Sequence, residues 1–292
     1  QGPRFNDKTN MYHAEFQYDF KNQVDFVELQ TGASFRLFDL NSNGTIFDDG
    51  VDNITIKEYG AYLQAGKWLG NRRVKFSGSV RYDKNENFEG RFTPRISAVY
   101  TILENHNIRA SFQTGFRNPD TQAQYIFFPV GTNTLLGSAE DNAARYGVHE
   151  GGAWTRSSYE AYRASGGTLA ADGTPTGGDP NLLVTDNVDY VKPERLVSYE
   201  IGYKGLFSQN FIVDLNLYYT SYRDFIGGDD VAAKFQTVHQ GTTYAPGTIY
   251  SPYRNSSEDV TSTGVGVGLT YNFGKGYSLT GNYNYATFDA KQ

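Results

Sequence analysis

Ten stretches of this chain alternate apolar and polar residues with a period of two, and the segments joining them alternate between short and long without exception. Period two is the signature of a half-buried strand, whose successive side chains point to opposite faces. From 74 to 82 one face carries Val74, Phe76, Gly78, Val80 and Tyr82, and the other Lys75, Ser77, Ser79 and Arg81. From 211 to 219 Phe211, Val213, Leu215, Leu217 and Tyr219 oppose Ile212, Asp214, Asn216 and Tyr218. The predicted strands are 11–20, 24–39, 54–68, 72–83, 93–103, 107–117, 196–207, 210–223, 261–273 and 277–288. The third is the least regular, because its apolar residues change face midway.

The connections fix the class. Those at 21–23, 69–71, 104–106, 208–209 and 274–276 are short, and those at 40–53, 84–92, 118–195 and 224–260 are long. Outer-membrane barrels have short periplasmic turns and long extracellular loops, whereas a soluble meander has no reason to sort its loops. The expected fold is therefore all-β, a transmembrane antiparallel β-barrel, with the polar faces lining a wet lumen and both chain ends on the outer side. Strands of about 11 residues, rising roughly 3.3 Å each and tilted near 45°, climb about 25 Å, the height of the apolar band. Aromatic residues gather at strand ends as interfacial girdles do. These are Trp68, Phe207, Phe273 and Tyr277 beside the short turns, and Tyr82, Phe116, Tyr222 and Phe225 beside the long ones. A soluble sandwich of Tyr-rich strands is the alternative; the Arg, Lys, Glu and Gln of the polar faces favour the barrel.

Composition removes other classes. Tyr (23), Phe (20) and Gly (32) are abundant, Cys is absent, and no run of 18 apolar residues offers a transmembrane helix. Acidic and basic residues are interspersed around a net charge of −6, with no basic stripe for nucleic acid. His13, His106, His149 and His239 share no ligand spacing, and neither HExxH nor GxSxG occurs, so nothing here argues for an enzyme. The glycines of Gly264-Val265-Gly266-Val267-Gly268 lack the strand–turn–helix setting of a nucleotide loop and read as the small inward residues of a strand.

Three segments resemble those of TonB-dependent outer-membrane receptors. Arg109-Ala110-Ser111 with Gly115-Phe116-Arg117 and Pro119 is similar to the family's "RAS…GFR-x-P". Pro193-Glu194 followed by Tyr199-Glu200 and Gly202-Tyr203-Lys204 resembles "PE…YE-x-GYK", and Tyr62-Leu63-Gln64 with Gly78 and Arg81-Tyr82-Asp83 resembles "Y-x-Q…G-x-RYD". Thr121–Ile126 and Ala144-Arg145-Tyr146-Gly147-Val148-His149 look like the Bacteroidetes branch. The resemblance implies a 22-stranded barrel filled by an N-terminal plug, and residues 1–292 as a middle-to-late part of it, ending at Ala290-Lys291-Gln292 with the plug and final strands missing. It implies membrane lipid, the protein's own plug domain, and TonB with its inner-membrane motor as partners, with a surface lipoprotein or larger envelope complex beyond them. Ser111–Arg117 replaces the segment expected of importers that work with a lipoprotein lid. The expected function is energy-coupled import of a scarce or large solute; the rivals are a passive pore narrowed by the 118–195 loop, and a barrel that anchors a surface or secretion complex.

Candidate sites follow. The 118–195 loop is too long to be mere connection. Within it Trp154, Arg156, Tyr159, Tyr162 and Arg163 could stack on and hydrogen-bond a polar ligand, with a short helix over 157–165; packing within the loops is the alternative. Arg73, Lys75, Arg81, Arg109, Arg117, Glu200, Lys204 and Asp214 fall on the lumen face, suited to a plug. Asp39, Asn41, Asn43 and Asp48, with Gly44, echo an oxygen-rich calcium loop, but Gly50 stands where the bidentate carboxylate belongs and no helix flanks it. An Asn/Gly-rich hairpin loop is the other reading, and no other cofactor is expected.

Overall fold

The structure is a computed structural model. It describes residues 5–50, 52–143, 146–239 and 241–290; Ala144, Arg145, Lys291 and Gln292 of the segments quoted above lie outside the described residues.

Ten strands form one antiparallel sheet in chain order: β1 (Asn10–Asp19), β2 (Glu28–Leu40), β3 (Ile54–Leu69), β4 (Val74–Asn85), β5 (Arg91–Leu103), β6 (His106–Arg117), β7 (Glu194–Phe207), β8 (Phe211–Arg223), β9 (Val260–Gly274) and β10 (Tyr277–Ala290). Each pairs only with its sequence neighbours, and among the described residues β1 and β10 are the two open edges. The expected strands all occur, with one large boundary difference. β2 begins at Glu28 rather than Val24, because the chain turns at 21–23 and Phe20 N–H closes on Leu29 O at 2.9 Å. Tightness of the inner turns comes from left-handed backbone, as at Ser208 (φ 50°) and Gln209 (φ 60°), the mirror-image turn whose twist matches a hairpin.

Register separates the two faces. Gln17, Gly32, Tyr62, Arg81 and Thr93 stand in one row across β1 to β5, and Arg109, Gly202, Asn216, Gly266 and Asn284 in another across β6 to β10. This face is polar. The opposite face carries Leu63, Val80, Ile96, Ile201, Leu217 and Leu269, with Leu217 55 % and Ile201 53 % exposed at mid-strand. No core covers them, so the sheet presents its apolar side outward, as a membrane barrel must.

The buried apolar clusters lie at the outer end. One joins Leu40 and Ile56 to Phe47, Tyr125 and Ala139. This explains the change of face in β3. Tyr59, Ala61 and Leu63 point outward at membrane depth, whereas Ile54 and Ile56 point inward above it, beneath folded loop. The same register corrects two girdle assignments: Trp68 pairs with Lys75 and Tyr222 with Leu196, both on the inner face.

The two longest loops fold together. Segments Thr185–Asp186, Ala153–Thr155, Val231–Ala233, Ile249–Pro252, Asn133–Leu136 and Phe127–Val130 make a six-stranded sheet in that order. Ile249–Pro252 runs parallel to Asn133–Leu136, so residues of 224–260 add strands to a sheet begun by 118–195. Tyr146, Val148, Val188, Val231 and Tyr250 form its core. The short helix is present over Arg156–Ala164, capped by Thr155, whose hydroxyl accepts from Ser158 N–H at 3.3 Å.

Candidate functional site

The inner wall beneath this cap is a ladder of charged pairs. Arg81 Nε donates to both oxygens of Asp83 at 2.8 Å and its terminal nitrogen to Ser34 Oγ at 3.0 Å. Gly60 makes the cluster fit, since a β-carbon there would lie 2.2 Å from the Arg81 guanidinium. Arg36 Nε stands 3.4 Å from Glu58, whose other oxygen accepts from Asn85 at 2.9 Å and Asn118 at 3.3 Å. Asn87 carries the network into the cap, donating to Gln124 Oε1 at 2.6 Å and Tyr125 Oη at 2.9 Å. Of these, Ser34, Arg36, Glu58, Arg81, Asp83 and Asn118 line a concave cavity of about 500 Å³ on the lumen face.

Around the wall, Arg109 stands 3.7 Å from Glu200 and 3.1 Å from Asp214, and Lys204 lies 3.7 Å from the same Asp214. Arg117 donates to Glu194 at 2.8 Å, and Lys75 to Glu28 at 2.8 Å with its ammonium over the Trp68 ring. The lumen-facing set is thus brought together in local pairs, with one exception. Arg73 lies in the short turn before β4, its N–H bonded to Gly70 O, and sits at the inner rim rather than on the wall.

In the cap, Tyr162 is fully buried and its hydroxyl donates to Thr168 O at 2.7 Å and Thr176 O at 2.9 Å. Tyr159 is buried beside it in a cluster with Ala232. Both are packing residues of the loop fold, not surfaces for a ligand, because they supply the apolar face on which the helix docks. Trp154 is half-buried, with the Lys234 ammonium 3.8 Å above its ring and donating to Thr185 Oγ1 at 2.7 Å. Burial lowers the Lys234 pKa. Arg156 binds Asp230 and, at 2.7 Å, Glu160; Arg163 is exposed.

Asp230 escaped the sequence reading because two of its three partners, Arg156 and Asn133, come from the other loop. It gathers Arg156, Asn133 (2.9 Å) and Ser251 (2.5 Å). Burial pushes its pKa up, but the hydrogen bonds from Ser251 and Arg156 outweigh that and hold it below the usual carboxylate range.

The residues of the 39–49 loop do not fit calcium. Asp49, not Asp48, organises it: its carboxylate accepts from Ser42 N–H, from Ser42 Oγ at 2.8 Å and from Gly44 N–H at 2.6 Å. Asp48 turns instead toward His239 at 3.7 Å, and Asn41 bonds through its backbone O to Lys8 N–H at 2.7 Å. Asn43 serves the turn, in left-handed backbone at φ 51°, and one Asp39 oxygen is buried without a hydrogen bond. Among the described residues no three His, Cys, Asp or Glu side chains gather as a metal site.

Comparison with known proteins agrees with this geometry. The family model "TonB dependent receptor-like, beta-barrel" matches residues 1–292. Over 95 residues, 32 % of this chain and 15 % of its relative, the sequence is 38 % identical to the vitamin B12 transporter BtuB of Vibrio vulnificus. The siderophore receptor PirA of Pseudomonas aeruginosa superimposes with a TM-score of 0.59 at 13 % identity, over 97 % of this chain and 41 % of that one. The ferric enterobactin receptor PfeA of the same organism gives a TM-score of 0.61 at 11 % identity, over 95 % and 35 %. The chain therefore spans well under half of the relatives it matches. With its apolar outer face, charged inner face and family match from end to end, the chain belongs to the TonB-dependent receptor-like β-barrels of the outer membrane.

Proposed function

We propose that the protein carrying this wall is an active-uptake receptor, importing a scarce or large solute with energy delivered through TonB. The observation that supports this most is the inner face. Its charges are paired on the wall itself, which leaves a wet path without a strong field of either sign. A solute too large to diffuse through a narrow pore needs a wide barrel, a wide barrel must be plugged, and moving the plug takes work. The protein's own plug domain would meet Arg81, Arg109, Arg117, Glu200 and Lys204 from within. The folded cap would receive the solute first, through the accessible Arg156 and Arg163 beside the half-buried Trp154, and is the surface a lipoprotein or larger envelope complex would meet. The names of the relatives, a vitamin B12 transporter and siderophore receptors, fit solutes of this class. Uptake by cells carrying the full-length protein, measured before and after collapse of the proton-motive force, tests the reading. A fall to background supports it. Unchanged uptake overturns it in favour of a passive pore.

A further inference from the structure

The barrel wall has a slit. The hydrogen-bond ladder between β5 and β6 stops at Arg95 and Gln113, although both strands continue outward, β5 from Arg91 and β6 to Arg117. Beyond that point each pairs only with its other neighbour. Pro94 stands at the divergence and has no N–H to give a ladder. One side-chain bond crosses the opening, from Thr114 Oγ1 to Pro94 O at 3.2 Å. Thr93, Gly115 and Phe116 line both the inner cavity and an outward groove of about 630 Å³, so the slit joins the two.

The outward groove has two chemistries. Its deeper part is lined by Pro94, Val197, Tyr199 and Tyr219, all on the apolar face of the sheet. At its outer end Arg195 and Arg223 are direct cross-strand partners on that same face. Like charges placed opposite one another destabilise a sheet unless something lies between them. Arg195 leans on Asp224 at 2.5 and 2.8 Å, while Arg223 reaches Asp259 at only 3.4 Å with its side chain 66 % exposed. Arg91, on the lip of the groove, has a buried Nε without a hydrogen bond.

Cations above an apolar trough, at the depth where a bilayer places its headgroups, match a lipid rather than a soluble ion. We propose that this groove seats a phosphorylated lipid of the outer leaflet, its phosphate between Arg195 and Arg223 and an acyl chain along Val197, Tyr199 and Tyr219. The phosphate displaces the loose Arg223–Asp259 contact and lies between the two facing guanidinium groups, whose like charges it neutralises.

The test is native mass spectrometry of the full-length protein released from detergent, with a diphosphorylated glycolipid and its dephosphorylated form as probes. The wild type is expected to retain the phosphorylated lipid, and the R195Q/R223Q variant to bind it about tenfold or more weakly, the effect of losing two charge-assisted contacts. Lys57→Gln, on the outward face of β3 away from the groove, is expected to change nothing. β-Sheet circular dichroism confirms that each variant is folded. Equal retention by wild type and R195Q/R223Q, or equal retention of the two lipids, overturns the proposal. So does displacement by inorganic phosphate alone, which would mark an ion site, or an arginine-dependent dimer, which would mark a contact between copies.

Discussion

Arg109 on β6 reaches Asp214 on β8 at 3.1 Å by lying across Gly202 of the intervening strand β7. A β-carbon on Gly202 would meet the Arg109 Nε at 2.5 Å. The inner wall is thus triangulated over three strands, and the middle residue is a glycine because the guanidinium occupies the space its side chain would need.

Gly202→Val is expected to push Arg109 off and destabilise the barrel by about 1–3 kcal/mol, the usual cost of overpacking. Asp214→Asn, which removes the charge shared by Arg109 and Lys204 in two partly exposed, solvent-screened pairs, should cost roughly 1 kcal/mol or less. Urea unfolding midpoints in lipid vesicles rank the two. The reverse order would mean that charge, not space, governs this part of the wall.

The sidedness of the sheet is open to direct test. Leu217→Arg, at the middle of β8 on the outward face, should cost about 2–4 kcal/mol of insertion free energy. Asn216→Arg, one residue away but facing inward, should cost well under half of that. If both are tolerated alike in folding assays with bilayers, the outward face does not meet hydrocarbon.

Removal of Asp49 should loosen the 42–47 loop. Asp49→Ala leaves the Ser42 and Gly44 donors without their shared acceptor, at a cost of about 1–3 kcal/mol. Amide exchange at Gly44 reports it. Added calcium is expected to leave that exchange unchanged in the native protein; protection that rises with calcium would restore the metal reading.

Acid should weaken the cap through His149. Its ring is buried, stacked on Tyr190 at 4.7 Å, and burial lowers its pKa below the ordinary 6.5. The Val188 backbone and the charges of Asp189 and Glu150 pull the other way and are outweighed. The folded cap therefore prefers the neutral ring, and below pH 6.5 the unfolded chain binds the proton more readily. Stability is full above that pH and is lost as pH falls from it toward the folded-state value. Hydrogen exchange across Ala153–Thr155 and Val231–Ala233 at pH 7 and pH 5 should show faster opening in acid. His149→Gln should flatten the difference; an undiminished pH dependence in that variant would assign it elsewhere.

The barrel was largely legible because its two-residue period is local: Leu215, Leu217 and Tyr219 declare a face without help from other strands. β3 looked irregular only because one strand serves two environments, hydrocarbon at Leu63 and the cap at Ile56. The cap itself was not legible. Its strands are two to four residues long, too short to show a period, and their partners lie across β7 and β8 in sequence, as Tyr250 does from Thr134. For the same reason the helix over 157–165 is legible but not the face it buries, so Tyr159 and Tyr162 read as ligand contacts although the helix docks through them, and the neighbouring Asp48 and Asp49 cannot be told apart by spacing alone.

The parallel seam between Asn133–Leu136 and Ile249–Pro252 makes the two great loops mechanically one piece. Neither can swing aside without dragging the other or breaking the four-residue ladder they share. Anything that grips one loop from outside the cell takes hold of both.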